Sequence, residues 1–236
     1  MRLDQKLVVL KLAPTKAQAH HLIKDGLVLV NDEVCLKPGR PVSENTAIKL
    51  LEDHKYVSRG AKKLLAGIQE FMPVIKNQIC ADFGASTGGF TQVLLENGAS
   101  KVYAVDVGKT QLHTLIKNNP KVVELSGTNI KDLLELPDKP NFAAVDLSFI
   151  SITKVWPSII NLMAPKGQII VLYKPQFEVG QENLTKNGIA DPKMAQEFLR
   201  LWLDKLHKAG CKTNRSIPCP VLGQSGNQEY LVFVEI

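Results

Sequence analysis

Two groups of residues in this sequence have the makings of a reactive site: ionisable side chains at the ends of apolar runs, and a cluster of glycines. Asp146 closes the run Phe142-Ala143-Ala144-Val145, and Lys174 follows Leu172-Tyr173 ahead of Pro175-Gln176-Phe177-Glu178. Glu229 opens the last apolar run, and Lys63 lies in the helical stretch ahead of the first strand. An amine beside carboxylates can take a proton from a weakly acidic hydroxyl, provided desolvation or a second cation keeps it neutral part of the time. Lys174 with Lys63 nearby meets that description, with Asp146 and Glu229 holding geometry and offsetting charge. Taken singly, a lysine at a strand end or a glutamate in a hairpin is commonly a solvated surface residue. Only one of Lys62 and Lys63 can face such a site.

The glycines lie in Ala81-Asp82-Phe83-Gly84-Ala85-Ser86-Thr87-Gly88-Gly89-Phe90, between a strand and a helix. A doubly wound sheet binds ligands at that position. Gly84 permits a tight turn, and Gly88 and Gly89 lack side chains where a ligand would approach. The spacing is neither the dinucleotide G-x-G-x-x-G nor a phosphate-binding G-K-S/T loop. Asp106 follows at the tip of the next strand, about 20 residues on, where an acid meets ribose hydroxyls. An adenosine without a pyrophosphate fits, and S-adenosylmethionine is such a ligand. A purely structural strand-to-helix turn would use glycines in the same way.

The elements that must position these residues alternate along the chain. Strands are expected near 78–83, 101–106, 121–125, 142–147 and 168–173, with helices near 88–97, 111–118, 152–163 and 192–209. That order implies a right-handed, mostly parallel, doubly wound α/β sheet. Runs near 212–219 and 229–235 flank a turn-rich segment and read as an antiparallel edge hairpin. Ser58 can cap a helix whose apolar face is Leu64, Leu65, Ile68 and Phe71. Residues 1–52 read as a separate small α+β unit. It has a helix bearing Leu3, Leu7 and Leu10, and a second one opened by Pro14-Thr15 and stopped at Gly26. Short strands follow at 27–30, 34–36 and 47–51, with an Asn31-Asp32 turn. The polar stretch 53–58 is the linker, and the second domain runs over 59–236.

Composition narrows the class. Of 236 residues, 44% are hydrophobic and 22% charged, an ordinary globular mix. The formal charge of +6 favours a polyanionic partner. Cys35, Cys80, Cys211 and Cys219 show no C-x-x-C spacing and read as reduced thiols in a cytoplasmic protein. No apolar stretch is long enough for a bilayer, and the five histidines show no metal spacing. The Asp/Asn-Pro-Pro-Tyr/Phe loop of amino-group methyltransferases is replaced by Asp146-Leu147-Ser148-Phe149, and no cysteine stands at the rim for carbon methylation.

Several segments resemble the TlyA family, in which an S4 RNA-binding domain precedes an FtsJ/RrmJ-like methyltransferase domain of class I (Rossmann-like) fold. They are Arg2-Leu3-Asp4, Ala19 to Asn31, Tyr56 to Leu64, Asp82 to Phe90, Asp106-Val107-Gly108, Asp146 to Ser151, Lys174 to Gly180 and Gly226 to Glu229. The resemblance implies S-adenosylmethionine-dependent 2′-O-methylation of cytidine in ribosomal RNA or ribosomal subunits. It puts a Lys-Asp-Lys-Glu tetrad on Lys63, Asp146, Lys174 and Glu229. Cofactor contacts fall on Asp82, Gly84, Ser86, Gly88, Gly89, Phe90, Asp106, Val107, Asn129 and Asp146, with no metal. RNA phosphates are expected at Lys16, Lys24, Lys37, Arg40 and Arg59. Thr15-Lys16 replaces the usual Ser-Arg, Asp32 stands where Gly is common, and Ser126-Gly127 replaces the usual acid near the third strand. A non-catalytic ribosome-binding factor is the alternative from another class. A membrane-active haemolysin, a label the family has carried, is disfavoured because the sequence lacks a lytic segment.

Overall fold

The computed structural model describes residues 1–13, 15–24, 26–50, 56–109, 111–223 and 225–236. The chain divides into two units, Met1–Arg59 and Gly60–Ile236. Pro14, Leu51 and residues 53–55 of the expected linker lie outside the described residues.

In the first unit, Leu3 and Leu7 put one apolar stripe on helix α1 (Leu3–Val9), which packs against α2 (Lys16–Lys24). Helix α1 is shorter than its leucine spacing suggests. The amides of Leu12 and Ala13 fold back onto the Leu7 carbonyl (2.9 and 3.3 Å), with Lys11 at φ +56. Gly26, at φ +72, follows α2. Strands β1 (Val28–Val30), β2 (Glu33–Val34) and β3 (Ile48–Leu50) form an antiparallel sheet in the order β2-β1-β3. Asn31 and Asp32 join β1 to β2 with φ of 53° and 65°. Both central residues of a tight hairpin must take this left-handed conformation, and Asn and Asp tolerate it after Gly. Strand β2 is offset from the expected 34–36: the Cys35 amide still bonds to the Val28 carbonyl (2.9 Å), and farther on the chain turns to serve α1. The Pro38 and Arg40 carbonyls accept from Asp4 N (3.0 Å) and Leu3 N (2.9 Å). Leu3, Leu7, Ala19, Ile23, Val28 and Val30 form the core of the unit.

The second unit opens with α3 (Gly60–Phe71) and continues β4 (Ile79–Phe83), α4 (Gly89–Glu96), β5 (Lys101–Asp106), α5 (Thr114–Lys117), β6 (Val122–Ser126) and β7 (Phe142–Val145). It ends with α6 (Ile152–Leu162), β8 (Gln168–Tyr173), α7 (Pro192–Lys208), β9 (Lys212–Pro218) and β10 (Tyr230–Glu235). The seven strands lie in the order β6-β5-β4-β7-β8-β10-β9. Pairing is parallel from β6 to β8, and β10 is antiparallel to both β8 and β9. The expected α/β sheet and edge hairpin are both present. Alternation along each strand feeds two layers: Ile169, Val171 and Tyr173 join the core shared with α6 and α7, while Ile170 faces α3.

Helix α3 buries Ala61, Lys63, Leu64, Gly67 and Phe71, so its inward face is rotated from the expected Leu64-Leu65-Ile68-Phe71 stripe. Gly67 explains the rotation: a Cβ there would lie 3.3–3.7 Å from Ile170 and Leu231, so the helix seats its smallest residue on the sheet. That rotation turns Lys63 inward and leaves Lys62 exposed. Helix α5 is half its expected length, because His113 caps it by accepting from Leu115 N (3.3 Å) and the chain before it runs beside the sheet's carboxyl rim. All four cysteines are buried free thiols.

Candidate active site

The strand ends of β4, β5 and β7 border a cleft of about 510 Å³. Such a volume suits a drug-sized ligand or cofactor. One wall is the turn after β4. Gly84 N and Ala85 N both donate to the Val105 carbonyl (2.8 and 3.1 Å), which folds the chain over the end of β5. Gly84 has φ +95, and a Cβ there would collide with the Asp146 carbonyl. Its missing side chain thus admits the neighbouring backbone. Gly88, at φ +94, likewise makes room for Ile116 and Leu112 (3.0–3.2 Å). Asp106 accepts from Ser86 N at 2.8 Å and Gly108 N at 2.7 Å, one bond on each carboxylate oxygen. Each oxygen has a second lone pair, so the acid can still receive hydroxyl donors.

Of the residues expected to hold a cofactor, Gly84, Ser86, Asp106, Val107, Asn129 and Asp146 line this cleft. Asp82, Gly88, Gly89 and Phe90 sit behind the turn and are buried. Asp82 is fully enclosed in the central strand; Thr91 Oγ1 donates to its Oδ2 at 2.6 Å, and Oδ1 finds no partner among the described residues. Burial pushes its carboxyl up to about 7; Thr91 opposes the rise, and the charges of Asp146 and Asp106 add to it. Sequence reasoning passed over Gln111 and Phe149. The Gln111 amide occupies the space a side chain on Gly108 would need. Phe149 is 92% exposed with φ +63, and its ring centroid lies 5.4 Å from that of Phe177. Both line the cleft. Their signal was position alone, in loops leaving the carboxyl ends of parallel strands. At the Ser126 departure, Ser126 Oγ donates to Glu124 at 2.5 Å, and Lys117 pairs with the same carboxylate at 3.0 Å. The acid two residues upstream is therefore already engaged.

The four tetrad candidates come together as two ion pairs. Asp146 leaves β7 with its amide bonded to the Phe83 carbonyl (2.9 Å), and its carboxylate meets Lys174 Nζ at 2.5 Å. Lys174 also donates to Ser148 Oγ at 2.8 Å. Asp146, 22% exposed, lines the cleft, and Lys174, 10% exposed, lies behind it, touching the cleft-lining Asp146 and Ser148. Glu229 is set opposite Lys174 by the antiparallel register, in which Tyr230 faces Tyr173. Its Oε2 accepts from Lys63 Nζ at 2.6 Å, with both side chains below a tenth exposed. The second pair is buried and the first half-open. Such an arrangement can hold the Lys174 amine against two cleft-lining side chains while the other pair fixes the element ends.

In the first unit, Lys16, Lys24 and Lys37 are exposed, Arg40 is half-buried, and Arg59 is half-buried at the unit's last residue. Arg2 is committed elsewhere: it forks onto the buried Asp4 through Nε (3.0 Å) and Nη2 (2.8 Å). That guanidinium holds the Asp4 carboxyl below its ordinary range.

The family description FtsJ-like methyltransferase matches residues 56–235, and S4 domain matches residues 1–48. This chain belongs to the FtsJ-like methyltransferase family. The resemblance to TlyA seen in the motifs holds along the whole chain. The 16S/23S rRNA (cytidine-2′-O)-methyltransferase TlyA of Mycobacterium tuberculosis (strain ATCC 25618 / H37Rv) is 36% identical over 99% of this chain and 89% of that protein. Hemolysin A of Brachyspira hyodysenteriae is also 36% identical, over 98% of each chain. A solved chain from Streptococcus thermophilus is 34% identical and superposes with a TM-score of 0.78, covering 100% of this chain and 88% of that one. An S-adenosylmethionine dependent methyltransferase of Mesorhizobium loti, 14% identical, superposes with a TM-score of 0.56 over 75% of this chain and 99% of that one. Among the described residues, no helix is long and apolar enough to cross a membrane, and no group of three or more His, Cys, Asp and Glu side chains could hold a metal ion.

Proposed function

We propose that this protein transfers a methyl group from S-adenosylmethionine to the 2′-oxygen of a cytidine in ribosomal RNA, with the S4 unit binding the RNA. The observation carrying this reading is the Lys174 amine paired with the cleft-lining Asp146, backed by the buried Lys63–Glu229 pair. TlyA, whose name states that activity, supports the substrate class.

The residues present fit the cofactor. Asp106 keeps free lone pairs for ribose hydroxyls, Val107 offers an exposed apolar side chain for a base, and Asn129 and Gln111 bring amides to the same cleft. When bound, the cofactor supplies an electrophilic methyl on a sulfonium. Lys174 Nζ is the group placed to take the hydroxyl proton when the methyl passes to the oxygen and the cofactor leaves as a neutral thioether. Asp146 then stabilises the ammonium that results, as an acid beside a catalytic base does. Ser148 fixes the direction of the amine. Lys63 and Glu229 keep the ends of α3 and β10 in place and maintain a balanced charge beneath the reacting atoms. Phe149 presents a bare ring where a target base leaving its stack could rest, a contact worth about 1–3 kcal/mol.

Purified protein, labelled cofactor and isolated ribosomal subunits test this directly, with mapping of 2′-O-methyl positions. Lys174→Ala is expected to lower incorporation by a factor on the order of 10²–10⁴ while cofactor binding, measured by calorimetry, persists. Subunit binding without any incorporation by the native protein would instead favour a non-catalytic ribosome-binding factor. Lysis of red cells by detergent-free protein, without methyl transfer, would favour the activity named in Hemolysin A.

A further inference from the structure

Glu229 is 2% exposed, and its two carboxylate oxygens have different neighbours. Oε2 takes the Lys63 ammonium; Oε1 accepts from Gln176 Nε2 at 3.4 Å. That bond is long, as active-site bonds often are before substrate arrives. Gly223 stands on the same side: a Cβ there would lie 2.7 Å from Oε1, so the absence of a side chain lets the carboxylate sit where the amide reaches it.

Gln176 accepts a penalty in this position. Its own Oε1 is buried and has no partner among the described residues. Turning the amide over would bring its carbonyl against a carboxylate, so only one orientation is tolerable. Buried acceptors are rarely left unmet, and one that is calls for an explanation. The explanation offered by geometry is the other end of the amide, which must point at Glu229. Gln176 belongs to the 3₁₀ turn Pro175–Phe177 that begins directly after Lys174. One short segment therefore carries the cation of one ion pair and the amide that steadies the anion of the other.

We propose that Gln176 is a positioning residue that couples the two ion pairs, fixing the Glu229 carboxylate, and through it the Lys63 amine, relative to Lys174. The assignment rests on the methyl-transfer reading for its effect on rate, though not for its effect on Lys63.

Two variants of the full chain separate coupling from simple packing. Gln176→Met keeps length and loses the N–H; kcat for methylation should fall about tenfold at every pH from about 6 to about 9, with KM for RNA and cofactor affinity little changed. Gln176→Glu is the pH-sensitive version. While protonated, its carboxyl can donate to Glu229 as the amide did; once ionised, it sets a second anion beside the first. Its rate relative to the native protein should therefore be near native at the acid end and fall as pH rises, an inversion that a merely structural defect would not produce. A readout without RNA uses isotope-labelled lysine: the Lys63 ammonium resonance, assigned by its loss in Lys63→Arg, should broaden or vanish in Gln176→Met. Should Gln176→Met fail to fold, the same resonance followed through the pH series of Gln176→Glu takes its place. A flat rate ratio for Gln176→Glu, or an undisturbed Lys63 resonance in the variants, overturns the proposal. If the native protein transfers no methyl group and the Lys63 resonance still responds, the functional reading fails and the coupling stands.

Discussion

At the scale of single residues, the site is built by register and burial more than by residue type. Lys62 and Lys63 are chemically identical neighbours; only the seating of Gly67 on Ile170 and Leu231 turns Lys63 inward to Glu229. Phe149 is a large apolar residue in a left-handed backbone conformation with 92% of its surface in water. A strained, solvated aromatic at a cleft is better explained by a ligand than by folding. Phe149→Ala should accordingly raise KM for RNA or lower kcat/KM about tenfold or more, with cofactor affinity and melting temperature nearly unchanged. A matching loss of cofactor affinity would instead assign the ring to the adenosine.

Asp82 makes a different residue-scale claim, about stability and pH. Its folded carboxyl titrates at about 7 against an ordinary 3.8, chiefly through burial. Between those values the folded chain holds a proton that the unfolded chain has released, so stability falls as pH rises through that window and the penalty is complete above it. Asp82→Asn keeps an oxygen for Thr91 and removes the titration. Its stability gain over the native protein should be small near pH 4 and grow to as much as about 4 kcal/mol above pH 7. Melting curves across that range would show it, and a constant difference would refute it.

At the scale of elements, turns do the positioning. The strand-to-helix turn at Gly84 brings backbone into contact with backbone, its Cα facing the Asp146 carbonyl at φ +95. Gly84→Ala therefore carries both a collision and a disfavoured backbone angle. It should cost about 3 kcal/mol in urea unfolding and weaken cofactor binding, because the shift needed to relieve it displaces Asp146. The strand lengths follow from apolar runs and are readable from them, with β5 and β8 spanning the residues their patterns indicate. Helix α5 and strand β2 are shorter than their patterns. In α5 the chain ahead of the helix is held by the His113 cap rather than by helical bonds; in β2 only the Cys35 amide still reaches β1, and the carbonyls of Pro38 and Arg40 go to the start of α1.

At the scale of the whole molecule, each unit has its own apolar core, and the two carry different chemistry. The first unit has no tetrad residue but exposes Lys16, Lys24 and Lys37. Replacing these three with alanine should weaken rRNA binding and reduce the slope of log K against log salt by about 1 for each phosphate no longer neutralised. The rate at saturating RNA should stay close to native, since the cleft and both ion pairs lie in the other unit. An unchanged salt slope would move the RNA-binding face elsewhere.

Apolar periodicity and strand-end position are local properties, so the succession of strands and helices, the two-part organisation and the candidates Asp146 and Lys174 could be read from the residues before any fold was known, whereas Lys63 and Glu229 are singled out chiefly by the resemblance to TlyA. The pairing of the four ionisable residues could not be read that way. Nor could the placing of Asp82 and Phe90 behind the Gly84 turn, or the reach of Gln176 to Glu229. Those facts depend on the register of paired strands and on the rotation of α3, where contacts join residues 53 (Gln176–Glu229) to 166 (Lys63–Glu229) positions apart. No local pattern encodes such a distance; only the packing of side chains against one sheet fixes it.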